Sequence, residues 1–308
     1  MLYPIRCGVP QGAVLSPTLF SIFINDLPLE HKKYSRYSHL FADELVKLYL
    51  FRNTCKTERI ENEINKDLAK LSTWTNNWRL TIAANKSSYM CFKKFKLDEN
   101  EKSGKRKREV KDTNINKAYS LKLKVNDKSL PNEKVVKFLG IRFDEYCRFD
   151  HQIKHIKSVI TDRLNILKTI SHKSWNLSLT TLKQTYISLI RSVIEYSSFL
   201  LPVISEKLVN TLRVIQNNSL RIILHKKLSD KVSIEELHRM ASIEKIETRL
   251  DNLRKVFFKK AAANKNPLIT ETIEDFFNFT IFSQKKRFDS LLDNLDLEFL
   301  LELMGTNI

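Results

Sequence analysis

Asp43 and Glu44 stand side by side inside "HLFADELVKLYL", residues 39–50, the adjacent carboxylates that an apolar, strand-like stretch carries. Carboxylate oxygens are the natural ligands of a divalent cation such as magnesium, and the metal's charge offsets the cost of placing like charges together. From the residues alone the commoner meaning, a polar hairpin tip with two solvated acids, stays open. Upstream, Gly8, Pro10, Gln11 and Gly12 form a turn ahead of an apolar helix. Backbone N–H groups at such a place can meet a phosphate or a sugar. A plain loop is the commoner use of the same residues. His151, His155 and His172 lack a partnering carboxylate and nucleophile and read as surface or core polar residues. Cys7, Cys55, Cys91 and Cys147 lie far apart without a CxxC pair, as expected of reduced thiols.

Three zones of pattern must position these groups. From 1 to about 92, Pro17 suits the first turn of a helix carrying Leu19, Phe20, Phe23 and Leu27. "HLFADELVKLYL" reads as two short strands around the acidic pair. Ile60, Ile64, Leu68 and Leu71, three and four apart, predict a helix capped by Thr57. "RLTIA" and "SYMCFK" then read as strands flanking an "ANKS" turn. Trp74 and Trp78, four apart on that helix, suit core packing. Residues 93–118 hold ten basic and five acidic residues, too polar to offset their ordering entropy, and read as a solvated or disordered insertion. "LKLKV" and "VVKFLGIRFD" are the next expected strands, with Gly140 as a bend or bulge in the second.

From 151 onward the pattern is helical. Ile153, Ile156, Ile160, Leu164 and Leu167 make one apolar stripe. Leu179, Leu182, Tyr186, Leu189, Ile190 and Val193 make a second, and Leu208, Leu212, Ile215 and Ile222 a third. A fourth helix is expected over roughly 243–263, with a weaker helical tail beyond. No internal repeat is evident.

With 53 Lys+Arg against 35 Asp+Glu the formal charge is +18 over 308 residues. That balance calls for a polyanionic partner, nucleic acid first and an anionic membrane surface second. The apolar stretch "GAVLSPTLFSIFI" is broken by Pro17 and makes a poor signal peptide, and no run approaches the length of a membrane span. Residues 151–227 hold twelve Lys+Arg and three acids, an excess suited to phosphate binding, although a solvated helix face is the usual meaning of any single lysine.

Taken together, "GVPQGAVLSPTLFSIFINDLP" and "FADE" resemble the motif B and motif C blocks of reverse transcriptases from non-LTR retrotransposons. "LSTWTNNWRLTIAANKSSYMCF" is similar to the family's tryptophan-bearing helix and Asn-Lys turn, and "VVKFLGIRFDEYCRFDHQIKHI" to its Lys-Tyr/Phe-Leu-Gly block. The resemblance runs over roughly 5–260. It implies an RNA-directed DNA polymerase of α+β class: a partial palm, an antiparallel sheet with helices, over 1–150 with the basic insertion at 93–118, an all-α thumb-like bundle over 151–265, and a helical C-terminal tail over 266–308.

The resemblance assigns roles by position. Asp43 stands at the first motif C aspartate, a ligand of the two Mg2+ ions of such polymerases, and Glu44 stands where the second aspartate is expected. Phe41 replaces the tyrosine near the primer end. Gly8, Pro10, Gln11 and Gly12 match the loop that touches template and incoming nucleotide, and Lys86 matches the lysine of the Asn-Lys turn. Lys154, Lys157, Arg163, Lys168, Arg213 and Arg221 would grip the backbone of an RNA template and DNA primer or an RNA–DNA duplex.

Two departures qualify the activity. Glu44 adds a methylene, and Met1 lies seven residues before motif B, so that motif A and the fingers are not encoded. The expectation is a reverse transcriptase domain, 5′-truncated and inactive as this chain; a non-catalytic RNA- or DNA-binding relic is the alternative, and a segment that does not fold is a third. "KRKR" at 105–108 is a candidate nuclear import signal for an intracellular protein. Oligomeric state is not legible.

Overall fold

The computed structural model describes residues 8–27, 35–51, 55–92, 120–201, 204–263 and 267. Cys7, the 93–118 insertion, the "KRKR" run and the tail from 268 lie outside them. The chain forms two compact units, Met1–Lys134 and Val135–Ile308. The architecture is mixed α+β, as expected. Its strands form separate two-stranded antiparallel pairs among the described residues, and the second unit is mostly helical.

In the first unit, helix α1 (Ser16–Phe23) carries Pro17 in its first turn, where the missing N–H costs nothing. Strands β1 (Ser35–Phe41) and β2 (Glu44–Tyr49) pair in the register His39↔Val46, Leu40↔Leu45 and Phe41↔Glu44. Helix α2 (Thr57–Asn77) buries Ile60, Ile64, Leu68, Leu71 and Trp74, the expected stripe. Thr57 is its first helical residue and Lys56 the cap position, so the expected Thr57 cap is not used. That stripe packs on Leu27, Leu121, Leu123, Val125 and Leu130. The last three flank or lie in the short hairpin β3 (Lys124–Val125) and β4 (Lys128–Ser129).

Helix α2 also satisfies the approach to β3. The Asn65 amide donates to Lys122 C=O at 2.8 Å and accepts from Lys124 N–H at 2.9 Å, and Glu61 accepts from Lys122 N–H at 2.8 Å. These bonds replace a strand partner. The strands expected at "RLTIA" and "SYMCFK" do not form: residues 79–83 are irregular, and the described residues of the second segment, 88–92, contribute only the isolated parallel bridge Tyr89↔Asn132. Leu80 and Ile82 pack on the core as irregular chain. The Tyr89 hydroxyl donates to Leu121 C=O and accepts from Leu121 N–H, both at 2.8 Å.

In the second unit, "VVKFLGIRFD" is a hairpin and not one bent strand. β5 (Val135–Phe138) and β6 (Ile141–Asp144) pair antiparallel around Leu139 and Gly140, whose φ of +45° and +79° give the mirror-image turn that matches strand twist. The helices are α3 (Asp150–Ile170), α4 (Leu179–Tyr186), α5 (Ser192–Glu195), α6 (Glu206–Ile223), α7 (Ile234–Ala241) and α8 (Ile246–Ala263), with a π-helical turn at Ile187–Arg191 joining α4 to α5. Ile153, Ile156, Ile160, Leu167, Leu182, Tyr186, Ile190, Leu208, Leu212 and Ile215 are buried in one core. Of the expected stripes, Leu179 remains exposed and Leu164, Leu189, Val193 and Ile222 are partly buried.

The β5–β6 hairpin is fastened to α3 by buried polar groups. Asp144 accepts backbone N–H groups of Tyr146 and Arg148 at 3.1 Å and of Phe149 at 2.7 Å, and Gln152 accepts from Arg142 N–H at 3.0 Å. Such a carboxylate, satisfied by backbone donors, ends a strand and starts a helix at once.

Candidate active-site hairpin and basic helical surface

The β1–β2 turn sets the acidic pair at its tip. Ala42 turns the chain at φ +50°, Asp43 occupies the turn, and Glu44 opens β2 opposite Phe41. Phe41, Asp43 and Glu44 are all exposed. The hairpin's base is held to α2: the Lys47 ammonium lies 2.6 Å from Oδ2 of Asp67, and the Tyr49 hydroxyl donates to the same oxygen. Burial pulls the Lys47 ammonium below the ordinary lysine range, opposed by Asp67. Burial, then the bond to Asp67, pushes the Tyr49 phenol well above its ordinary range.

The Gly-Val-Pro-Gln-Gly loop precedes α1. Gly8 and Gly12 adopt φ of +87° and +85°, and the Ser16 hydroxyl donates to Pro10 C=O at 2.5 Å, folding the loop over the start of the helix. Gly8, Pro10, Gln11 and Gly12 all face solvent. The other end of α1 meets α2: Phe23 packs edge-on to Trp78 at 5.1 Å, Trp78 lies 5.7 Å from Trp74, and the Trp74 indole donates to Asp26 at 3.4 Å. Trp74 is buried as expected, while Trp78 is exposed at the helix end. Helix α2 thus supports both the loop-bearing helix and the acidic hairpin. Lys86 closes the 3-10 turn Ala84–Lys86 and is exposed, with Ala84 buried beneath it.

Magnesium at this tip needs several oxygen ligands. Among the described residues no group of three His, Cys, Asp or Glu side chains is placed to hold a metal ion. Asp43 and Glu44 by themselves therefore do not fit such a site.

The six basic residues expected to grip a backbone divide in two. Lys154, Lys157 and Lys168 are exposed on α3. Arg163 donates to Leu189 C=O at 2.6 Å in the π-helical turn, Arg221 donates to Val232 C=O at 3.2 Å and Lys227 C=O at 3.4 Å, and Arg213 pairs with Glu206 and Glu247. These three side chains hold the helices together. His155 on α3 faces Arg142 and Lys137, cross-strand partners on the β5–β6 hairpin; burial and then these two cations hold it below the ordinary histidine range. His151 and His172 are exposed, and Cys55 and Cys147 are free thiols.

The Lys47–Asp67–Tyr49 cluster did have a signal. Asp67 falls three residues after Ile64 and seven after Ile60, on the apolar stripe of α2. An acid on such a stripe needs a buried partner.

The acidic hairpin and the glycine loop lie within one segment that is similar to known polymerases. Residues 2–143 match the reverse transcriptase (RNA-dependent DNA polymerase) family. Over that segment the chain is similar to the reverse transcriptases, and over a longer span it is related to the RNA-directed DNA polymerases of non-LTR retrotransposons. It is 21% identical over 271 residues to the RNA-directed DNA polymerase from the mobile element jockey of Drosophila melanogaster, covering 86% of this chain and 27% of that protein. It is 23% identical over 224 residues to the probable polymerase from transposon BS of the same organism, covering 71% and 22%, and 20% identical over 251 residues to that from the X-element, covering 77% and 25%. The chain thus spans about a quarter of the length of these relatives. No solved structure matches it significantly. Among the described residues no helix is long and apolar enough to cross a membrane.

Proposed function

We propose that this chain is the palm and thumb portion of a non-LTR retrotransposon's RNA-directed DNA polymerase. The palm comprises residues 1–150, the thumb 151–265 and a helical tail 266–308. The observation that carries the reading is the β1–β2 hairpin, which sets Asp43 and Glu44 at an exposed tip beside Phe41 within the segment that matches the reverse transcriptase family. Asp43 would hold Mg2+ only together with oxygen ligands from beyond the Asp43–Glu44 pair, and Glu44 stands beside it. Gly8, Pro10, Gln11 and Gly12 approach template and nucleotide, and Lys86, by its place in the Asn-Lys turn, is a further contact to them.

Lys154, Lys157 and Lys168 are the backbone contacts of the thumb, because their ammonium groups stand in solvent where condensed counterions can be displaced. The partner is an RNA template with its DNA primer, which places the protein inside the cell; "KRKR" at 105–108 is its nuclear import signal. Two carboxylates without a third among the described residues favour a specific second statement: on its own the 308-residue chain binds template–primer without extending it.

The test is to mix the chain with an RNA template annealed to a DNA primer, nucleotides and Mg2+. Salt-sensitive binding without extension, unchanged by Asp43→Ala, is expected. Extension that Asp43→Ala abolishes would overturn the non-catalytic reading of the isolated chain, and absence of binding at low salt would overturn the thumb assignment.

A further inference from the structure

The proposed function makes no use of the turn that joins α3 to α4. Residues 172–181 are all exposed, and among them Trp175 is 58% exposed with Leu177 at 37% and Leu179 at 41%. An indole left in water forgoes a large burial gain, so a surface that presents one points to something that covers it.

The turn has a fixed shape. Trp175 N–H donates to His172 C=O at 3.0 Å and Asn176 N–H to Lys173 C=O at 3.1 Å. Nδ1 of His172 accepts from Ser174 N–H at 3.3 Å and bonds its hydroxyl at 2.8 Å. Asn176 reverses the chain at φ +47°, and Ser178 caps α4 by accepting from Thr181 N–H at 3.2 Å. Trp175 is thereby presented on a hydrogen-bonded turn fastened at both ends to helices of the core.

Its electrostatic setting selects the partner. From Arg163 to Ile194 the sequence contains no Asp or Glu, while Lys168, Lys173 and Lys183 fall within it. Lys168 and Lys173 are exposed on either side of the turn's start. An exposed aromatic on a stretch of chain that carries lysines and no acids suits unpaired nucleotides, whose bases stack and whose phosphates pair.

We infer that Trp175 is a stacking platform for an unpaired base of single-stranded RNA or DNA, with Lys173 holding the adjoining phosphate. The inference rests on the nucleic-acid reading above and adds a second contact, for strand that is not in the duplex. Stacking needs no particular base, so the site is tolerant of sequence.

The experiment uses the full chain, a labelled oligouridine and an RNA–DNA duplex. Trp175→Ala is expected to weaken oligouridine binding about tenfold while leaving duplex affinity unchanged, and Trp175→Phe to retain most of it. Oligouridine is also expected to quench tryptophan emission in the wild type and much less in Trp175→Phe. Equal oligouridine affinity of Trp175→Ala and wild type would overturn the inference. If duplex binding then still falls in Lys154→Ala/Lys157→Ala, the thumb assignment stands and only the stacking platform fails. If the wild type binds neither probe, the nucleic-acid reading fails and takes this inference with it. Self-association of the wild type that Trp175→Ala removes would give the face to a second copy and overturn it as well.

Discussion

The Lys47 ammonium and the Asp67 carboxylate meet at 2.6 Å with side-chain exposures of 6% and 13%, joining the acidic hairpin to helix α2. This pair lies four residues along β2 from Asp43. Through it the stability of the α2 core is also what holds the tip in place.

Removing one partner strands the other. Asp67→Ala leaves a buried ammonium and an unpaired Tyr49 hydroxyl and should cost about 3 kcal/mol. The double change Lys47→Met/Asp67→Leu should recover most of that loss, because a buried pair and an apolar pair of similar size are close in free energy. Urea unfolding followed through the first unit's tryptophans checks both values.

The turn of the β5–β6 hairpin should be as intolerant as its backbone implies. At Gly140, φ is +79°, and an added Cβ would lie 3.1 Å from the Tyr196 ring, whose hydroxyl donates to Leu139 C=O at 2.6 Å. Gly140→Ala should destabilise the helical unit by roughly 1–2 kcal/mol from backbone strain alone. In a Tyr196→Ala background the contact disappears but the strain remains, so a substantial cost should persist in the difference between the paired variants' unfolding midpoints.

This turn also marks where reading by pattern failed. "VVKFLGIRFD" is an unbroken run of strand formers, and nothing in its alternation separates one bent strand from two strands closed by Leu139 and Gly140. The acidic hairpin was legible, because the pair at Asp43 and Glu44 interrupts an otherwise apolar alternation. So was the stripe of α2, whose period is strong over about four turns from Ile60 to Trp74. "RLTIA" misled because Leu80 and Ile82 alternate as in a strand but pack on the core without a ladder. The basic residues show the same limit: Arg163 and Lys157 are alike in sequence, and only the π-helical carbonyl at Leu189 makes the first structural.

His155 gives the second unit a pH dependence. Burial, Arg142 and Lys137 lower its proton affinity in the folded state. The folded protein therefore binds fewer protons than the unfolded chain just below the ordinary histidine value of about 6.5. Its contribution to stability is complete above that value and is lost as the pH falls through the depressed folded one. Urea midpoints measured across mildly acidic pH should fall with acid, and His155→Asn should flatten the part of that slope due to this residue.

In the proposed function the exposed lysines of α3 grip a nucleic-acid backbone while the internally bonded arginines do not. The direct measurement is the salt dependence of affinity for an RNA–DNA duplex, compared between the wild type, Lys154→Ala/Lys157→Ala and Arg163→Ala. The lysine variant should lose about 2 from the slope of log affinity against log salt. Arg163→Ala should keep the wild-type slope and lose about 1.5 kcal/mol of stability with its carbonyl bond. An unchanged slope in the lysine variant, or a reduced one in Arg163→Ala with stability intact, would contradict that division of roles.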